Sequence, residues 1–218
     1  MISSSTCLRA FVLSLALGGI CVAPSFVAKA QAAESSTEAT EAPKAFVGGL
    51  VDTLRALATS SDDGDDERKA GFRDVLVKDM EIRRMQRFLL SSEQRKSASE
   101  DDLTAYNQLF PDYIAAAYAD SIDELVSRTV KINDVVERRP GDFIVRSKLY
   151  ADDGGERAGI DWRVLEVDGE PRLVDVMVDG LSFNIERRAQ FTAIIQKDGF
   201  GALLDHMNEQ IEVGGTIE

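Results

Sequence analysis

The sequence is poor in the residues on which catalytic and metal sites are most often built. Its 218 residues include one histidine, His206, and two cysteines, Cys7 and Cys21. A serine–histidine–aspartate triad would depend on that histidine, and no G-x-S-x-G, phosphate-binding glycine loop, H-E-x-x-H or paired-cysteine motif occurs. The sequence therefore gives no reason to expect an enzyme, a metal or a cofactor, and we interpret His206 as a packing residue.

Positive charge is also scarce. The chain has 25 basic and 38 acidic residues, which gives a formal net charge of −13 at pH 7. Nucleic-acid binding needs a surplus of basic residues on one face, so that class of partner is excluded. The local basic groups are arginines 83, 84, 87, 187 and 188. We interpret them as solvated helix faces, with a phosphate headgroup or an acidic partner as the alternative.

The first thirty residues are predicted to be a cleaved signal peptide. Arg9 precedes an apolar run over 10–20, and small residues suited to signal peptidase leave cleavage open among Ala30, Ala32 and Ala33. The run is shorter than the roughly 20 residues that a membrane-spanning helix needs. We therefore expect export to the periplasm, with a retained membrane anchor as the alternative.

A lipid anchor is a further alternative, because Cys21 follows a leucine-containing stretch, although Ile20 is larger than the residue that usually precedes a lipidated cysteine.

Cleavage at the predicted sites would remove both cysteines and leave no disulfide in the mature chain. It would also leave 23 basic and 38 acidic residues. So strong a negative charge favours a monomer.

The rest of the chain reads as a disordered leader, a single domain and a short tail. The leader, 31–44, consists mainly of Ala, Glu, Ser and Thr, and the domain spans 45–211, followed by a tail over 212–218. The acidic run 62–67 lacks the ligand spacing of an EF-hand, so we interpret it as a solvated loop rather than a calcium site.

The hydrophobic period changes near residue 129. Before it, apolar residues recur at helical spacing, Ser99 is a candidate N-cap, and Pro111 is expected to kink or split one helix. After it, four segments alternate as strands, and Asp168-Gly169 is a two-residue hairpin signal. Helical spacing returns near Ile185. The fold class is therefore α+β: N-terminal helices, a four-stranded antiparallel meander and C-terminal helices.

Four blocks in the second half of the chain carry a family resemblance. They read Ile160-Asp161-Trp162-Arg163, then Val174-Asp175-Val176-Met177-Val178-Asp179-Gly180-Leu181-Ser182, then Arg188-x-x-Phe191, and finally Gly199-Phe200-x-x-Leu203-Leu204. This pattern resembles the MlaC family, the periplasmic phospholipid-binding proteins of the toluene-tolerance group. The resemblance extends from about Phe46 to Met207.

The resemblance implies a non-enzymatic carrier with a lipid cavity between sheet and helices. Such a protein holds a phospholipid as cargo and passes it between an inner-membrane ABC transporter complex with an MCE component and an outer-membrane lipoprotein complex. That transport maintains the lipid asymmetry of the outer membrane. The apolar residues expected to form the pocket are Phe72, Leu76, Met80, Met85, Phe88, Tyr113, Phe143, Val145, Leu149, Ile160, Trp162, Val164, Val174, Val176 and Val178.

Three other readings remain open from the sequence. A hopanoid or another polycyclic lipid would also fill an aromatic pocket and would change only the cargo. An interaction or assembly factor would fill the same apolar face with its own core and have no ligand. A hydrolase that uses unassigned carboxylates is the least supported, since 38 acidic residues offer no distinguished pair.

Overall fold

The computed structural model describes the backbone of residues 25–59, 65–126 and 128–213. The chain divides into two units, 1–35 and 36–218, and the second contains the domain described below. Most of the predicted signal peptide, the first half of the acidic run (62–64) and the last five residues of the tail lie outside the described residues.

Seven helices lie in the described part of the chain. They are α1 (Ser25–Thr59), α2 (Asp65–Asp79), α3 (Ile82–Leu89), α4 (Ser92–Ser97), α5 (Glu100–Val126), α6 (Phe183–Asp198) and α7 (Phe200–Val213). The segment predicted to be a disordered leader, 31–44, has helical backbone within α1. Alanine and glutamate, two strong helix formers, are frequent in this segment.

Helix α5 begins where the sequence predicts and continues through its proline. The Ser99 hydroxyl accepts a hydrogen bond from the Asp102 backbone N–H at 3.0 Å, as an N-cap does. Pro111 does not split the helix. The carbonyl of Asn107, which loses its usual donor at Pro111, accepts the Gln86 side-chain amide instead at 3.0 Å. That replacement bond explains why the helix tolerates the proline.

The sheet is an antiparallel meander with strand order β1-β2-β3-β4-β5. The strands are β1 (Thr129–Arg139), β2 (Asp142–Tyr150), β3 (Glu156–Val167), β4 (Glu170–Val178) and β5 (Leu181–Ser182). The four predicted strands are present, and the fifth is a two-residue addition to the edge. Asp168 and Gly169 both have positive φ, 53° and 82°, which is the backbone of the tight hairpin turn that their sequence signals.

A bulge interrupts the pairing of β3 with β4. Arg163 lies opposite Asp175, but the next residue, Val164, lies opposite Leu173, so Val174 is an extra residue in β4. The bulge changes which residues of β4 share a face: Leu173, rather than Val174, joins the inner face of the sheet.

The core forms between the inner sheet face and the helices, and the free edge of β4 is covered. The Glu81 backbone N–H donates to the Leu173 carbonyl at 2.8 Å, and Met80 forms a parallel bridge to the same residue. At the start of α6, the Asn184 side-chain amide donates to the Val174 carbonyl at 2.6 Å. These contacts use backbone groups that an uncovered edge would leave unpaired, so the helical layer is fixed to this side of the sheet.

The buried carboxylate of Asp142 joins the turn between β1 and β2 to strand β3 through hydrogen bonds. Asp142 accepts hydrogen bonds from Arg163 at 3.0 Å and from Arg139 at 2.9 Å. Burial opposes ionisation of Asp142, but the two guanidinium groups outweigh it and hold the pKa of this carboxyl below its usual value. The ion pair therefore stabilises the fold in the pH range where Asp142 is ionised.

Candidate functional site

An apolar cavity of about 250 Å³ lies between one end of the sheet and the helices. Its wall combines the inner sheet face with residues of α1, α2, α3, α5 and α6, so no single element of the fold forms it alone. The lining residues are Leu50, Leu54, Leu76, Met80, Met85, Tyr118, Leu149, Ala158, Ile160, Trp162, Leu173, Asp175, Val176, Val178 and Phe183.

The sheet wall is made by side chains that face each other across neighbouring strands. Ala158 lies opposite Leu149 of β2, and Ile160 lies opposite Val178 of β4. Because alternate residues of a strand point to the same side, Ala158, Ile160 and Trp162 form one continuous row along β3. The wall that they form is apolar and offers a ligand no hydrogen-bonding side chain.

Trp162 is held in this wall by a buried pair of hydrogen bonds. Its indole N–H donates to the Ser147 hydroxyl at 2.9 Å, and that hydroxyl donates to the Ile160 carbonyl at 2.9 Å. Ser147 is itself buried. The polar edge of the indole is therefore satisfied inside the protein, which leaves the remainder of the ring free to present an apolar surface.

The helical wall is rich in flexible and aromatic side chains. Met80 lies in the short connection from α2 to α3, Met85 lies within α3, and both line the cavity. On the opposite flank, the rings of Tyr118 and Phe183 lie 5.3 Å apart. Burial raises the pKa of Tyr118, so its hydroxyl stays protonated and neutral.

Asp175 is the one charged side chain among the residues described as lining the cavity. Its Oδ2 accepts from the Ser182 hydroxyl at 2.6 Å, and its Oδ1 accepts from the Asn184 backbone N–H at 3.3 Å. Ser182 also caps α6 by accepting from the Ile185 backbone N–H at 3.1 Å. Burial raises the pKa of Asp175, and these hydrogen bonds offset only part of that effect.

The structure brings eight of the fifteen sequence-predicted pocket residues to this cavity. These eight are Leu76, Met80, Met85, Leu149, Ile160, Trp162, Val176 and Val178. Contact of these residues with a lipid stays a prediction, because the cavity wall alone does not define a ligand pose.

The other seven predicted residues lie elsewhere for identifiable reasons. Phe143, Val145 and Val164 are on the correct face, but at the end of the sheet that is filled by the ordinary core. Phe72 and Tyr113 are buried in the same core. Two further residues are outside it: Val174 is the bulge residue of β4, and Phe88 is 39% exposed with the Arg188 guanidinium 5.0 Å from its ring centre.

Sequence reasoning missed seven residues of the wall, listed here: Leu50, Leu54, Tyr118, Ala158, Leu173, Asp175 and Phe183. Leu50 and Leu54 share a helical face, a signal visible in the sequence, but nothing there shows that α1 reaches the sheet. Asp175 was missed because a carboxylate is not expected in an apolar wall.

The candidate groups for other chemistry are not assembled into a site. The Nε2 of His206 is buried and has no hydrogen-bond partner among the described residues, and burial lowers the pKa of its imidazole. Within the described ranges, no group of three or more His, Cys, Asp or Glu side chains is placed to hold a metal. The helices there also include none with the length and hydropathy needed to cross a membrane.

Comparison with known proteins agrees with this architecture. The chain superposes on a solved phospholipid-binding protein from Ralstonia solanacearum, determined in complex with a phospholipid, with a TM-score of 0.65 and 19% sequence identity. The superposition covers 79% of this chain and 98% of the Ralstonia chain. No curated protein matches the sequence. The family model described as MlaC protein matches residues 44–209, and the chain therefore belongs to the MlaC family.

Proposed function

We propose that this protein is a periplasmic phospholipid carrier that encloses the acyl chains of its cargo in the cavity and performs no chemistry on them. The observation that carries the proposal is the cavity wall, in which thirteen of the fifteen lining residues are apolar and the sheet and helices contribute together. Membership of the MlaC family and the fold shared with a protein solved with bound phospholipid support it.

The energetics of lipid transfer explain why such a cavity is needed. Two acyl chains contain about thirty methylenes, and each costs about 0.8 kcal/mol to expose to water, so moving a bare lipid between membranes is opposed by more than about 20 kcal/mol. A carrier removes this barrier only if it shields both chains. The row of Ala158, Ile160 and Trp162, together with Met80 and Met85, supplies an apolar surface of that kind.

A cavity of about 250 Å³ is smaller than the acyl chains of a phospholipid require, so we expect the wall to move on loading. Pockets that hold drug-sized ligands enclose about 300–1,000 Å³, and this cavity measures about 250 Å³. Met80 and Met85 have unbranched side chains that can adopt new rotamers at little cost; Met80 bridges to the edge of β4 in the α2–α3 connection, and Met85 lies in α3. We expect these two side chains to change rotamer and widen the cavity when acyl chains enter.

Membership of the MlaC family supports a wider role in lipid transport. We infer that the protein receives and delivers lipid at an inner-membrane ABC transporter complex and an outer-membrane lipoprotein complex, acts as a monomer, and helps to maintain outer-membrane lipid asymmetry. The predicted signal peptide supports a location in the periplasm, between the two membranes.

A transfer assay tests the proposal. Donor vesicles that contain labelled phospholipid are incubated with the purified mature chain, and the chain is then separated and offered to unlabelled acceptor vesicles. We expect about one labelled lipid per chain, and its delivery intact to the acceptor. Failure of a folded chain to remove any label, or recovery of free fatty acid instead of intact lipid, would contradict the proposal.

A further inference from the structure

A second concave surface lies between α3 and α5. It is an open groove of about 770 Å³, to which α3 contributes one wall and α5 the other, with Val77 at the end of α2. The groove and the apolar cavity share no lining residue. Enclosure of acyl chains in the cavity therefore leaves this groove without an assigned role.

Part of the groove lining is apolar and in contact with solvent. Val77 is 40% exposed, and Ile82, Leu103 and Pro111 are partly exposed. Contact of these side chains with water costs free energy that a ligand covering them would recover. An apolar surface of this kind, bordered by charged groups, is typical of an interaction site.

The charged residues that line the groove are mainly basic. Arg83, Arg87 and Arg95 contribute guanidinium groups, against the carboxylate of Glu81 among the residues described as lining it. Arg95 is used by the fold, because its Nη1 donates to the Arg87 carbonyl at 2.7 Å and to the Leu90 carbonyl. Arg83 and Arg87 are exposed, and their side chains have no hydrogen-bond or ion-pair partner among the described residues.

This local excess of positive charge contrasts with the acidic composition of the chain. The protein has 25 basic and 38 acidic residues, and arginines elsewhere, such as Arg146 and Arg157, form ion pairs with aspartates. The guanidinium groups of Arg83 and Arg87 remain available to an anionic ligand. Charge complementarity together with the apolar lining favours a ligand that carries both carboxylates and aliphatic side chains.

From these features we propose that the groove between α3 and α5 is a docking site for an acidic, amphipathic peptide segment of a partner protein. Arg83 and Arg87 bind the carboxylates of the segment, and the apolar lining buries its aliphatic side chains. A segment that projects from a partner enters such a groove, whereas a flat bilayer does not reach a partly buried side chain such as Leu103. The site is separate from the cavity, so the proposal goes beyond lipid binding and does not depend on it.

Three synthetic peptides of equal length test the proposal. The first has leucine and glutamate at amphipathic helical spacing, the second has lysine in place of each glutamate, and the third has serine in place of each leucine. Binding of each fluorescein-labelled peptide to the purified mature chain is measured by fluorescence anisotropy. We expect the leucine–glutamate peptide to bind about tenfold more tightly than either of the others. Its affinity should fall as the NaCl concentration rises, because salt screens ion pairs of exposed groups.

Substitutions assign this binding to the groove. The double variant Arg83→Ala/Arg87→Ala should bind the leucine–glutamate peptide about tenfold more weakly, which corresponds to about 1.4 kcal/mol. Arg84→Ala is the matched control, since Arg84 is an exposed arginine of the same helix that is not among the lining residues. This variant should bind the peptide as the original chain does.

The outcomes separate the docking site from other occupants of the groove. Equal binding of the three peptides, or an equal loss of binding in Arg84→Ala, would overturn the proposal. Displacement of the bound peptide by phosphatidylglycerol vesicles, but not by phosphatidylcholine vesicles, would overturn it in favour of an anionic lipid surface.

Lipid loading from vesicles separates the docking site from the carrier function. The double variant should load phospholipid normally, because neither Arg83 nor Arg87 lines the cavity. A chain that loads lipid but binds none of the peptides would overturn the docking site alone. A chain that binds the leucine–glutamate peptide through the two arginines but loads no lipid would overturn the carrier function alone.

Discussion

A carboxylate placed on the sheet wall of the cavity should abolish lipid binding while the protein still folds. Val176 is suited to this test because it lines the cavity, is partly exposed, and lies opposite Trp162 on β3. In the lipid-free chain, a cavity of about 250 Å³ has room for several water molecules, so the new carboxylate of Val176→Asp can stay hydrated. We therefore expect a small effect on folding.

Entry of a lipid would make the new carboxylate energetically costly. Acyl chains would displace the water, and the carboxylate would have to lose its hydration or bind a proton, at an effective cost of several kcal/mol. Because 1.4 kcal/mol corresponds to a factor of ten, a penalty of about 4 kcal/mol lowers the affinity about a thousandfold. The uncharged Val176→Thr introduces only a hydroxyl, costs about 1–3 kcal/mol, and should lower the affinity about 5- to 150-fold.

Val136→Asp is the matched control. Val136 is also a partly exposed valine of the same sheet, but it is not among the residues that line the cavity or pack against the core. Bound phospholipid per chain is measured after incubation with vesicles, and circular dichroism checks the fold of each variant. Normal loading of a folded Val176→Asp, or an equal loss of loading in Val136→Asp, would refute the argument that this face of β4 contacts lipid.

Three further predictions follow from the same contacts, each measured by urea unfolding. Removal of bound lipid should lower the free energy of unfolding, since a ligand at a hundred times its Kd adds about 2.7 kcal/mol; an unchanged midpoint would count against binding to the folded state. Asp142→Asn should cost about 2 kcal/mol at pH 7, because Arg139 and Arg163 lose a charged partner. Because the pKa of Asp142 is lowered in the folded state, this stabilisation is fully present above the unfolded-state pKa of about 4 and is lost as pH falls through the lower folded-state pKa. The stabilities of the original chain and of the variant should therefore converge as pH falls below that range, and a difference that stays constant with pH would contradict this assignment. Ser182→Ala should cost about 1 kcal/mol by removing the N-cap of α6, and no change would show that the cap contributes nothing.

The periodicity of hydrophobic residues predicted the order of helices and strands, because it reflects directly which side chains are buried. The α+β class, the meander and the hairpin at Asp168-Gly169 all follow from local patterns that the tertiary structure did not override. Strand β5 was not predicted, because two residues, Leu181 and Ser182, are too short to show alternation. The path of α5 through Pro111 was not predicted either, since it depends on Gln86, which is distant in sequence.

The candidate site was only partly predictable, since it depends on position along each strand as well as on face. Alternation correctly grouped Val145 with Leu149 and Ile160 with Val164, but only Leu149 and Ile160 lie at the cavity end of the sheet. The alternation within one strand does not show at which end of the sheet the helices leave space for a cavity. The bulge at Val174 then shifted the phase of β4 by one residue, a change that depends on pairing with β3.

The most direct test of the carrier account is the identity of the natural cargo. The protein would be purified from its own periplasm without detergent, and organic extracts would be analysed by mass spectrometry against a mock purification. The account predicts intact phospholipid at about one molecule per chain. A polycyclic lipid in the same amount would contradict the assignment of the cargo, and a folded protein that contains no lipid would contradict the central claim that the cavity is a binding site for acyl chains.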